Sequence, residues 1–163
     1  MKFLLRKEPD GALPAVAYGV GHGGMEMLMI FGITMISNIV VSLMINAGQV
    51  DTILSAVPAE SRGQLEAQFA QLQDLHAGQL LLGLWERISA LILQLGLSII
   101  VWTAIRKSGK WLWLFLAAIL LHALVDACAV VLSKSVSASV VEIIIFSMAI
   151  AVGAAGCMLA RKL

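Results

Sequence analysis

LLLGLWERISALILQLGLSIIVWTAI, residues Leu80 to Ile105, decides the architecture. The run is apolar for longer than the roughly 20 residues that a helix needs to cross the hydrocarbon core of a bilayer. It nevertheless carries Glu86, Arg87 and Gln94. Three more runs of comparable character lie around it: Ala15 to Met44, Trp111 to Leu132 and Val140 to Leu159. The composition agrees, with 60% hydrophobic residues, 13% charged residues and a mean hydropathy of +0.95. Such values exclude a water-soluble globular domain and predict an all-α, polytopic membrane bundle of about four transmembrane helices. The formal net charge of +1 and pI near 7.8 give no footprint for nucleic acid. Cys128 and Cys157 both sit inside apolar runs and read as packing residues, not as a disulfide framework.

The whole chain, 1–163, reads as a single integral membrane domain. Residues 1–12 form a basic leader whose apolar core is too short for a secretory signal. Residues 48–78 form the one substantial extramembrane segment, in which Leu65, Phe69, Leu72 and Leu75 recur at helical spacing and predict an amphipathic helix. Pro58 marks its start, and Gly48 suits the end of the preceding span. Lys2, Arg6 and Lys7, then Arg106, Lys107 and Lys110, then Arg161 and Lys162 all fall on one side of the four spans. The positive-inside rule puts that side, and both termini, in the cytoplasm. Trp111 and Trp113 beside Lys110 fit an interfacial anchor.

Ionisable groups at membrane depth are costly and are functional candidates by default. His22 and Glu26 lie one turn apart in YGVGHGGMEM, and His122 and Asp126 repeat that spacing in LLHALVDACA. Counted at 1.5 Å per residue from the cytoplasmic ends, Glu26 lies about 15 to 20 Å deep, Gln94 about 18 Å and His122 roughly 16 Å. Glu86 and Arg87 come out a turn or two nearer the outer face, pointing to different sides of their helix. One shared polar layer near the midplane follows. A carboxylate beside an imidazole can take a proton from water or bind a divalent metal, so His22, Glu26, His122 and Gln94 are candidate ligands for zinc. Glu142, at the start of the last span, reads as an ordinary helix-start carboxylate. Gly19, Gly21 and Gly24 match the spacing of a dinucleotide fingerprint but lack the strand it requires. They read instead as small residues that let a neighbouring helix approach.

The runs GVGHGGMEMLM, LWERISALILQLGLSIIVW and LLHALVDACAV together resemble the YhfC family of intramembrane metalloproteases. That family is itself similar to the CAAX prenyl proteases and bacteriocin-processing enzymes, whose sites combine a glutamate motif, a Phe-x-x-x-His motif and a His-x-x-x-Asn/Asp motif. The resemblance implies that Glu26, position 94, His122 and Asp126 are the corresponding residues. Gln94 stands where the middle motif has histidine, and Met25 and Ile30 stand where the glutamate motif has a second glutamate and an arginine, with His22 and Arg87 as candidate substitutes. Longer relatives carry further N-terminal membrane helices. The implied activity is hydrolysis of a peptide bond in a hydrophobic or lipid-anchored substrate, with Glu26 activating water and His122 and Asp126 holding a metal or polarising the carbonyl. Glu86 and Arg87 are further catalytic candidates. A non-catalytic peptide binder or small transport component is the competing reading, and Gln94 favours it. Homodimerisation through the glycine block is a further expectation.

Overall fold

A computed structural model describes residues 11–161. The basic leader with Lys2, Arg6 and Lys7, and the closing Lys162, fall outside these. Among the described residues every regular element is helical: α1 (Leu13–Met27), a π-helical turn (Leu28–Gly32), α2 (Ile33–Asn46), α3 (Val50–Ser55), α4 (Ala59–Gln73), α5 (Ala77–Lys107), a 3-10 turn (Gly109–Leu112), α6 (Trp113–Leu132) and α7 (Ala138–Ala160). Four stretches are long and apolar enough to cross a membrane: Leu13–Asn46, Ala77–Lys107, Gly109–Leu132 and Ala138–Ala160. They coincide with the four expected runs and extend each by a few residues. With no water in the hydrocarbon, only continuous helices satisfy the backbone there.

The chain divides into two compact units, one comprising residues up to Met27 together with those from Leu82 onward, the other Leu28–Leu81. In the second unit, α2 ends where Gly48 adopts φ +71°, with Gly48 N–H donating to the Ile45 carbonyl and Gln49 N–H to the Met44 carbonyl. That paired pattern is the glycine-dependent helix stop expected from the sequence. Pro58 precedes the first residue of α4, and α4 packs on α2 and α3. Its apolar stripe is narrower than the spacing suggested. Phe69 is buried and Leu65 and Leu72 are half-buried, but Leu75 lies beyond the helix and is exposed. Arg62, one turn before Leu65 on the same face, donates to the Val57 carbonyl at 3.2 Å and ends the stripe. At the start of α5, His76 N–H donates to Gln79 Oε1 at 2.9 Å, which caps an otherwise free amide.

In the first unit, α5 is the central helix. Eleven of its residues are buried, from Ser89 to Ala104. Leu93, Leu97 and Ile100 of α5 meet Ala118 and Val125 of α6 and Val141, Ile145, Ala149 and Val152 of α7 in one apolar core. A second, smaller core joins Ala15 of α1 to Ile99 and Trp102, and Trp102 Nε1 donates to the Gly11 carbonyl at 2.8 Å. Lipid tails are as apolar as leucine, so burial alone does not hold such helices together; close backbone packing does much of it. A Cβ added to Gly19 would sit 3.1 Å from Leu95 and Ser98 side-chain atoms, and one added to Gly23 would sit 3.0 Å from Leu91. Gly19 and Gly23 therefore seat α1 on α5, whereas Gly21 and Gly24 face open space. Of the three glycines read in that role, Gly19 alone makes such a contact, and Gly23, outside that trio, makes the other. Gly96 of α5 is closer still to α7, since its added Cβ would lie 2.8 Å from Gly153 Cα. Buried hydroxyls are satisfied within the helix, Ser89 Oγ on the Trp85 carbonyl at 3.0 Å and Thr103 Oγ1 on the Ile99 carbonyl at 2.9 Å. At the opposite end of α5, Lys107 lies 4.6 Å over the Trp111 ring and Arg106 lies 5.2 Å over Trp102. The anchor expected from Trp111 thus engages Lys107. Cys128 and Cys157 are both free, and Cys157 is exposed.

Candidate functional site

Glu26 lies near the end of α1, one turn beyond Gly23. Because Gly23 lacks a side chain, this part of α1 rests against Leu91 and Gln94 of α5. The Gln94 amide Nε2 donates to Glu26 Oε2 at 3.1 Å. A carboxylate can only accept, so the amide must present its nitrogen there. One carboxylate oxygen is fixed by this bond, and Gln94 itself is 8% exposed. On α6, His122 Nε2 stands 3.4 Å from Asp126 Oδ2, as the i, i+4 spacing allows. Their side chains are 39% and 66% exposed, which places Asp126 at the rim and His122 further in.

Two cavities meet at these groups. The polar one, about 190 Å³, is lined by Glu26, Glu86, Arg87, Gln94, His122, Asp126 and Glu142, together with smaller and apolar residues of α5, α6 and α7. A single water needs roughly 10 to 15 Å³ of such volume, so this space holds several. The second, about 340 Å³, is a mainly apolar groove among α1, α5 and α6, running from Gln94 and His122 past Leu97 and Val101 to Ile105, Phe115 and Ile119. Gln94 and His122 border both spaces. Five of the candidates read from the sequence as catalytic, Glu26, Glu86, Arg87, His122 and Asp126, line the polar cavity, as does Gln94.

Three placements differ from the sequence reading. His22 lines the apolar groove, stacked on Tyr18 with ring centroids 6.1 Å apart, and does not line the cavity that holds Glu26. Glu86 and Arg87, although adjacent in sequence, do not diverge: Arg87 Nη2 donates to Glu86 Oε1, and both line the cavity. Their long side chains reach across the offset that separates neighbouring positions on a helix. Glu142, read as an unremarkable helix-start residue, also lines the cavity, and its Oε2 is shielded from solvent without a hydrogen-bond partner. Its place on the cavity wall follows from the packing of α7 on α5, where Gly96 meets Gly153 and Gly156, and the sequence reading assigned those glycines no role.

The donor set does not fit a metal ion as these side chains stand. Among the described residues no three His, Cys, Asp or Glu side chains are grouped to hold one. Of the four candidate ligands His22, Glu26, His122 and Gln94, the first faces the groove, Gln94 turns its N–H side to Glu26, and His122 is directed to Asp126.

The model of the family described as YhfC intramembrane metalloprotease matches residues 1–145. The chain is 36% identical over 147 residues, 89% of its length, to a Bacillus subtilis (strain 168) protein described as an uncharacterized membrane protein YhfC. It spans 55% of that relative's length. No solved structure matches it. The chain belongs to the YhfC family.

Proposed function

We propose that this YhfC-family membrane protein is a glutamate-dependent intramembrane peptidase that hydrolyses a peptide bond of a hydrophobic or lipid-anchored substrate. The observation that carries the reading is the junction at Gln94 and His122. There a carboxylate held by one hydrogen bond, an imidazole paired with a carboxylate, and a water-sized polar space adjoin an apolar groove open along the helices. A hydrophobic segment enters the groove laterally and presents its scissile bond at that junction.

Gln94 restrains Glu26 Oε2 and leaves Oε1 to orient a water in the polar cavity. Glu26 removes a proton from this water as its oxygen attacks the scissile carbonyl carbon. His122, which stands beside Asp126, donates a ring N–H to the developing oxyanion. The carbonyl then re-forms, the carbon–nitrogen bond breaks, and the proton held by Glu26 passes to the leaving amine. Arg87, paired with Glu86, forms part of the wall of the polar cavity. Every step uses groups of the chain itself, in keeping with a donor set that does not gather around a cation.

Cleavage of a quenched hydrophobic peptide by the purified full chain in detergent tests this reading. Glu26→Gln and His122→Ala should each lower kcat at least about 100-fold, the usual scale for an acid–base group. Retention of wild-type turnover by both variants would remove the assignment.

A further inference from the structure

The groove changes character along its length. Val101 and Ile105 of α5 and Phe115 and Ile119 of α6 line one end, whereas Tyr18, His22 and Ser98 line the other, beside Gln94 and His122. The seating of α1 on α5 fixes where His22 stands in that polar end. Gly19 faces Leu95 and Ser98, and Gly23 faces Leu91 and Gln94, so the two helices run antiparallel. His22 lies one turn, or about 6 Å, before Glu26 along α1. It lines the groove, while Glu26 lines the polar cavity. Tyr18, a turn earlier on the same face, holds the imidazole by stacking, with the ring planes inclined at 19°.

A scissile carbonyl has to be released from the hydrogen bonding of a substrate helix before it can be attacked, and in hydrocarbon no water replaces the bonds so broken. The wall beside the junction therefore has to supply them. A neutral imidazole has one donor and one acceptor and can meet a backbone carbonyl or a backbone N–H. Val101, Ile105, Phe115 and Ile119 can meet neither.

We infer that His22 is a substrate-positioning residue, whose imidazole hydrogen-bonds the main chain of an extended substrate stretch in the groove, about two residues from the scissile bond. The offset follows from the 6 Å between His22 and Glu26 and a rise of about 3.3 Å per residue of extended chain. This rests on the peptidase reading and adds to it the conformation in which the substrate is held. His22 thereby acquires a task other than metal ligation.

The test couples one side chain to one backbone position. The full chain carrying Glu26→Gln, in nanodiscs, is titrated with a fluorescent, end-blocked leucine–alanine peptide, so that binding is read apart from cleavage. A series follows in which each amide in turn is replaced by an ester, which removes the N–H and weakens the carbonyl as an acceptor. One position should lose about fivefold in affinity, the size of one net hydrogen bond. The products formed by the wild-type chain should place it about two residues from the cut. With His22→Phe added, which keeps an aromatic ring on Tyr18, the all-amide peptide should bind about fivefold more weakly, and the ester should cost less than about twofold. His22→Gln, which retains a donor and an acceptor, should restore part of the ester penalty. Tyr18→Phe and Ser98→Ala, which remove the two hydroxyls of the polar end, should leave the penalty within about twofold.

The absence of any position-specific penalty, or a penalty undiminished by His22→Phe, overturns the inference while cleavage by the wild-type chain leaves the peptidase reading in place. So does a penalty lost equally in the His22, Tyr18 and Ser98 variants, which would trace it to the shape of the groove, or one more than about four residues from the cut. If the wild-type chain leaves every peptide intact while the penalty still follows His22, the peptidase scheme falls and the backbone contact stands.

Discussion

A methyl group added at Gly96 tests how the helices that carry the site are held together. The new Cβ would lie 2.8 Å from Gly153 Cα, 2.8 Å from Gly153 N and 3.0 Å from the Val152 carbonyl carbon. Carbon atoms pack comfortably at about 3.5 to 4.0 Å, so the two backbones must separate by most of an ångström. No rotamer change relieves it, because every contact is main chain. Overpacking of this kind costs about 1 to 3 kcal/mol. Gly156→Ala meets the same obstacle from the other side, its Cβ 2.8 Å from the Gly96 carbonyl oxygen. Gly153→Ala should be tolerated, since its Cβ faces only Ile92 Cγ2, at an ordinary 3.7 Å. Gly21→Ala and Gly24→Ala, with no atom within 4 Å, should be neutral or stabilising by up to about 1 kcal/mol from helix propensity. The assay is unfolding of the purified protein by SDS titration, followed by fluorescence of the buried Trp102. Because α7 also bears Glu142 and Ile145 of the polar cavity, Gly96→Ala should lower peptide cleavage along with stability. A wild-type midpoint for Gly96→Ala, or equal losses for Gly153→Ala and Gly156→Ala, would refute this account of the α5–α7 contact.

Gln94→Leu removes a hydrogen bond to a charged group, worth about 1.5 to 3 kcal/mol. If the bond orients the reacting carboxylate, kcat should fall roughly 10- to 150-fold, and an unchanged kcat would detach Gln94 from the reaction. Purified protein should contain well under one equivalent of zinc by elemental analysis and keep its cleavage activity after treatment with phenanthroline; one equivalent lost together with activity would overturn the metal-free scheme. Ile119, half exposed on the groove wall, offers a way to narrow the groove. Ile119→Trp should raise KM for long hydrophobic peptides several-fold more than for short ones, and equal effects on both would show that substrates do not lie there.

The four crossings were legible because hydrocarbon imposes a length and a composition that no other environment demands, and each run satisfies both. Proximity of three polar residues was legible as well. Counting residues from the basic ends put Glu26, Gln94 and His122 at one level, and all three line one cavity. Azimuth was not legible, because a helix that is apolar on every side gives no period from which to read the direction of a side chain. His22 and Glu26 illustrate the loss. One turn apart, they differ by about 40° in direction and about 6 Å in height, yet they border different spaces, one above Tyr18 in the groove and the other against Gln94. The same ignorance hid Glu142, whose place on the cavity wall follows from the packing of α7 against α5 and not from its own surroundings in sequence. Nor does any periodicity announce the π-helical turn at Leu28–Gly32, which begins two residues after Glu26, although such turns are frequent at functional sites. Glycines supply part of the missing direction, since a residue without a side chain is needed only where another backbone comes close. Gly19 and Gly23, four apart, mark the face of α1 that meets α5, and Gly23 is the residue that brings the α1 backbone within reach of Gln94. The hydrogen bond between Gln94 and Glu26 therefore depends on a position with no chemistry of its own. A methyl group at Gly23 would push α1 away from Leu91 and Gln94, and should weaken the orientation of Glu26 while leaving every polar residue in place.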